Sequence, residues 1–187
     1  MKSLKFLGLL SITMFFVGVF ISVYFNEWFN LSQYTFSKLG NSYLATYPWI
    51  FSFFVIVGGV FMTFYGLVLI RKSIEKLRII GGAYVLLSGI FMILVGVFPD
   101  GTKPHDFVAL MTFLIFYAGM MVYGFKSSDK VFQVSSVAIF ITIIIVLVYN
   151  PFPSTGYLEI FGLLLVVIDL ILEFFEGKLD RLFKSFL

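Results

Sequence analysis

Apolar residues run along this chain in blocks of about twenty, and polar residues collect in the short gaps between them. The blocks cover about residues 6–25, 49–70, 79–98, 107–125, 131–149 and 157–175. A block of that length crosses a hydrocarbon core of roughly 30 Å as an α-helix. The period-two alternation of a barrel strand is absent. The pattern predicts an all-α integral membrane bundle of six transmembrane helices in one polytopic domain, residues 1–187. An even number of spans puts both termini on the same side.

The gaps refine this. Lys2 and Lys5 precede the first block as in a signal peptide, but Asn26-Glu27-Trp28-Phe29 is not a small-residue cleavage site. The first block is therefore read as an uncleaved helix. Residues 26–46 mix Trp28, Phe29, Leu31, Tyr34 and Phe36 with polar residues, which fits either a segment lying in the membrane interface or an ordinary ordered loop. Ser37-Lys38-Leu39-Gly40-Asn41 makes a turn within it. Tyr47, Pro48 and Trp49 open the second block, with the proline suited to a first helical turn and the aromatics to headgroup level. Asn150-Pro151-Phe152-Pro153 separates the fifth block from the sixth. Gly82, Gly89 and Gly96 recur every seven residues in the third block, and Gly59 and Gly66 do so in the second. Such stripes let another backbone approach, so helix contact is expected, with a pore or lipid groove as the alternative.

Composition agrees with a bilayer as solvent. The chain is 60% hydrophobic and 12% charged, with a mean hydropathy of +1.05. A soluble domain of this size has no means of hiding so much apolar surface. The 26 Phe and 10 Tyr suit lipid-facing and interfacial positions. The net charge of +3 gives no reason to expect nucleic acid, because the basic residues border the apolar blocks. Eleven of the thirteen Lys and Arg fall on the terminal side, and only Lys38 and Lys103 on the other. By the positive-inside rule both termini are cytoplasmic in the cell membrane, and the Asp100–Asp106 loop is extracytoplasmic. The absence of cysteine excludes disulfides, thiolate metal sites and cysteine nucleophiles.

Polar chemistry is concentrated in Phe98-Pro99-Asp100-Gly101-Thr102-Lys103-Pro104-His105-Asp106. Asp100, His105 and Asp106 are the catalytic candidates, and the topology brings Lys38, Asn41, Asn150 and Glu159 to the same membrane face. A carboxylate near a histidine can tune it as a base, for work on a lipid headgroup or a proton. The structural alternative has Asp100 and His105 pinning a hairpin, with Asp106 favoured by the dipole of the next helix. One histidine and no cysteine form a poor zinc set, so neither metal nor cofactor is expected. No Ser-His-Asp arrangement is legible.

A second group of acids lies in the last block. An ionised Asp169 at mid-bilayer costs roughly 2.5–3.5 kcal/mol on insertion scales. Asp169, Glu173 and Glu176 follow at spacings of four and three on one helix face, which Asp180 continues. With Glu159 they line either a proton or cation path or a subunit contact. The alternative is a shallower helix, with Asp169 near the cytoplasmic interface and the other acids in water beside Lys178 and Arg181. Residues 176–187 fit an amphipathic surface helix, with Leu179, Leu182, Phe183 and Phe186 on one side.

The sequence from Phe36 to about Gly124 also resembles a known family. Ser37-Lys38-Leu39-Gly40 precedes the second apolar block, and Gly96-Val97-Phe98-Pro99-Asp100 precedes His105 at the head of the fourth. These elements resemble those of the six-helix membrane proteins catalogued as the domain-of-unknown-function 998 family, known mainly from archaea. The resemblance covers roughly the first two-thirds of the chain. It implies the fold, the topology and an archaeal source, and it implies no reaction. Small size, minimal loops and sparse polar groups favour a non-catalytic scaffold or accessory subunit, surrounded by lipids and by other membrane subunits or copies of itself. A small proton, ion or lipid carrier using Asp169, and an outer-face enzyme using Asp100 and His105, are the other two readings.

Overall fold

The computed structural model describes residues 4–178. Six α-helices follow one another: α1 Phe6–Tyr24, α2 Pro48–Lys72, α3 Lys76–Val97, α4 His105–Phe125, α5 Lys130–Tyr149 and α6 Thr155–Phe174. A single 3₁₀ turn, Phe36–Gly40, interrupts the connection between α1 and α2. No strand occurs among the described residues. α1 to α5 are long and apolar enough to cross a membrane, and this is a multi-pass membrane protein. α6, which carries Glu159, Asp169 and Glu173, is not one of those five.

The helix ends follow from local chemistry. Pro48 occupies the first turn of α2, where its missing N–H costs nothing. Glu75, Asp129 and Ser154 cap α3, α5 and α6 by accepting backbone N–H groups from Leu77, Phe132 and Tyr157. Asn150 closes α5 in the left-handed region at φ 40°, just before Pro151. Residues 26–46 hold no α-helix. They form an ordered loop folded onto the helix ends, with Asn26, Phe36, Leu39 and Asn41 buried. Asn26 fixes it by donating to Ser22 O and accepting from Trp28 Nε1 and Thr46 N.

α2 and α3 form the most extensive helix pair, followed by α3 with α4 and α1 with α2. Gly59, Gly66, Gly82, Gly89 and Gly96 all lie where α2 and α3 meet. A Cβ at Gly59 would come within 2.7 Å of Ile93 N, and one at Gly89 within 2.5 Å of Thr63 N. Only glycine permits that approach. α6 packs more sparsely, against α5, α1 and α4. Tyr65, Tyr117, Tyr123 and Phe132 are fully buried in the core, while Phe20, Phe53 and Val148 point outward, as lipid-facing side chains do.

Candidate functional site

Two polar regions sit at opposite ends of the bundle. The first is built on the loop before α4. Gly101 turns the chain at φ 92° beside the Asn41 side chain. Asp100 accepts from Lys38 Nζ at 3.1 Å and from Asn41 Nδ2, so the loop is tied to the 3₁₀ turn. His105 is 3% exposed, and its Nδ1 lies 2.8 Å from Phe98 O. A carbonyl only accepts, so Nδ1 carries the proton and Nε2 of the neutral ring is an acceptor. Asp100 and His105 therefore fasten the loop through different partners rather than to each other. Asp106 is exposed in the first turn of α4. Glu159 accepts the Phe36 N–H across the bundle. Asn150 belongs to the α5 cap, and Asp100 is held by Lys38 and Asn41 instead.

A cleft of about 470 Å³ opens beneath this loop. Lys38, Asp100, His105, Asp106 and Glu159 are among its polar walls, and Leu110, Phe113, Ile143, Leu147 and Leu158 among its apolar ones. A smaller chamber of about 90 Å³ lies deeper, between α1, α2, α3, α4 and α6. Phe113 and Glu159 border both.

The second region is at the other end. Glu173 is 0% exposed and binds Lys5 Nζ and Lys72 Nζ, each at 3.0 Å, and the Tyr65 hydroxyl at 3.0 Å. Lys5 also donates to the Glu173 backbone carbonyl at 2.8 Å. Glu176 takes a two-pronged contact from Arg78, at 2.6 and 2.9 Å, and a hydrogen bond from Ser127 Oγ at 2.6 Å. Arg78 lies 4.0 Å above the Tyr123 ring. Gly177 N donates to Asp129, which caps α5. Burial alone would push the Glu176 carboxyl up, but the hydrogen bonds from Arg78 and Ser127 and the charges of Arg78 and Lys72 hold it at about 2. Burial lowers Lys5 from the ordinary lysine range, against the opposing pull of Glu173.

The expectation that Glu173 and Glu176 lie in water beside Lys178 and Arg181 is corrected here. Both are enclosed by cations from α1, α2 and α3. Asp169, one turn deeper, is 1% exposed, and neither carboxylate oxygen has a hydrogen-bond partner among the described residues. Lys5, Tyr65, Lys72, Arg78 and Ser127 were not singled out in the sequence as site residues. Lys72 and Arg78 count there only among the terminal-side basic residues that set the topology. Lys2, Asp180, Arg181, Lys184 and the amphipathic tail with Leu179, Leu182, Phe183 and Phe186 lie outside the described residues. No group of three or more metal-ligating side chains occurs among the described residues.

No curated protein and no solved structure matches this chain. A family match covers residues 9–173, which includes all of α2 to α5 and the outer loop, and of the terminal-end cluster takes in Glu173 but not Lys5 or Glu176. The chain belongs to the family described as protein of unknown function, DUF998.

Proposed function

We propose that this is a non-catalytic membrane protein, a scaffold or accessory subunit of a larger assembly. Its six helices all span the cell membrane, both termini are cytoplasmic, and the Asp100–Asp106 loop faces outward. The orientation rests on eleven of thirteen Lys and Arg lying on the terminal side. The observation that carries the non-catalytic reading is the commitment of the outer-loop groups. Asp100 is held by Lys38 and Asn41, and His105 Nδ1 by Phe98 O. No carboxylate is bonded to the His105 ring to strengthen it as a base, because Asp100 is taken up by Lys38 and Asn41 and the ring by the carbonyl of Phe98. Native mass spectrometry of the protein extracted gently from its own membranes tests the assignment. A fixed ratio with other polypeptides supports it, and a lone chain or homo-oligomer overturns it.

A second reading, a small proton or cation carrier, is favoured by Asp169. A buried carboxylate without a partner is costly when ionised, so such a group holds a proton or awaits a cation. Flux in liposomes that disappears in Asp169→Asn supports this reading, and unchanged flux removes it.

A further inference from the structure

The cleft below the outer loop has a composition that the subunit reading does not use. On α4 its polar residues lie at the loop end and its apolar residues deeper, while α5 lines it with apolar residues alone and α6 adds Glu159 beside Leu158. α4 presents His105 and Asp106, then Leu110 and Phe113. α6 presents Thr155, then Leu158 and Gly162, and α5 lines the same depth with Leu147 and Ile143. Eight residues separate His105 from Phe113, which is about 12 Å along a helix. A volume of about 470 Å³ is within the roughly 300–1,000 Å³ of ordinary ligand sites.

The polar end is chemically one-sided. Lys38 is matched by Asp100 at 3.1 Å, so this pair adds no net charge. Asp106 has no ion-pair partner among the described residues. Glu159 receives only a backbone N–H among them. His105 Nε2 in the neutral ring is an acceptor, because Nδ1 donates to Phe98 O. Lys103 is in the same loop but is exposed and does not line the cleft. Two carboxyl groups and an imidazole nitrogen therefore face an apolar slot, and Asp106 there has no cation of the described residues paired with it. A primary ammonium supplies three donors and one positive charge, and a hydrocarbon chain fills the slot.

We propose that the cleft binds a membrane amphiphile with a primary-ammonium head, the head among Asp106, Glu159 and His105, and one chain along Leu110, Phe113 and Leu147. This site is independent of whether the protein is a subunit or a carrier. The source is a lipid rather than a free amine, because a free amine would leave Leu110, Phe113, Ile143, Leu147 and Leu158 without an apolar partner.

The test uses the full chain in nanodiscs of phosphatidylethanolamine and phosphatidylglycerol with matched chains in equal amounts. Lipids retained by the protein are counted by native mass spectrometry. The expected result is enrichment of phosphatidylethanolamine, reduced about two- to fivefold in Asp106→Asn, the range for losing one rim charge. Glu159→Gln, which keeps an oxygen for the Phe36 N–H, lowers the enrichment further in combination. Gly162→Leu, which fills the slot, abolishes retention of both lipids. Equal retention of the two lipids by the unaltered protein overturns the proposal. So does enrichment that Asp106→Asn leaves unchanged, since that substitution removes no hydrogen bond seen in the fold. Displacement of the lipid by ethanolamine at equal concentration also overturns it, because the chain would then contribute nothing.

Discussion

The two ends of the bundle use similar residues for opposite results. At the terminal end, Glu173 and Glu176 meet Lys5, Lys72 and Arg78, and Ser127 and Asp129 join the network from the α4–α5 connection. Every helix is reached from this one cluster, and the charges cancel within it. At the other end, Asp100 is matched by Lys38, while Asp106 and Glu159 face a cleft with no cation of this chain set against them among the described residues. The first end is closed by its own counter-charges. The second leaves acceptors over an open slot. The placement of cations, more than the number of acids, separates a staple from a site.

The largest effect should come from breaking the staple. Glu173→Ala leaves Lys5 and Lys72 facing each other without their shared carboxylate. Loss of one partner from a buried pair costs about 3–5 kcal/mol, read as a fall in thermal stability in detergent. Acid should attack the same end. Glu176 is held at about 2 in the fold, below an ordinary glutamate, so its contribution is fully present above about pH 4.5. That contribution is lost as pH falls toward 2, and Glu176→Gln should flatten the stability profile across that window. A lesser loss is expected at the α2–α3 contact shared by both ends. Gly89→Leu forces a side chain against Thr63 and should cost about 1–3 kcal/mol by overpacking. The outer loop should matter least to stability. His105→Ala removes one hydrogen bond to Phe98 O and should cost about 1 kcal/mol. Asp100→Asn weakens a partly exposed pair with Lys38 and should cost less than about 1 kcal/mol.

The helices were legible because apolar blocks near twenty residues have one physical use. The observed bounds of α1, α4, α5 and α6 differ from the block edges by one or two residues. α2 runs two residues past its block to Lys72 and α3 begins three residues early at Lys76, so the basic residues between the blocks continue the helices, and Lys72 and Arg78 turn inward to Glu173 and Glu176. The outer loop was legible as the polar stretch it is. The terminal-end cluster was not, because its partners are far apart in the chain. Lys5 and Glu173 are separated by 168 residues, and nothing in local spacing announces a contact that only helix packing creates. The burial of Glu173 follows from the same fact. An acid near the end of an apolar block fits water equally well until the cations of α1 and α2 are known to surround it. The cleft, too, exists only between helices, where Leu147 and Leu158 are ordinary apolar residues in their own segments.

The most direct measurement compares access to the two ends in a chain that has no cysteine of its own. A single cysteine is placed on the cleft wall by Ala109→Cys, and another just inside the staple by Leu69→Cys. Each variant is exposed to a charged, water-soluble thiol reagent after reconstitution in permeabilised phosphatidylglycerol vesicles, which hold no primary-ammonium lipid to occupy the cleft. The account predicts rapid modification at position 109 and protection at position 69, with position 69 becoming reactive when Glu173→Ala is added. Equal reaction at both positions, or protection at position 109, would contradict an open end opposed to a closed one.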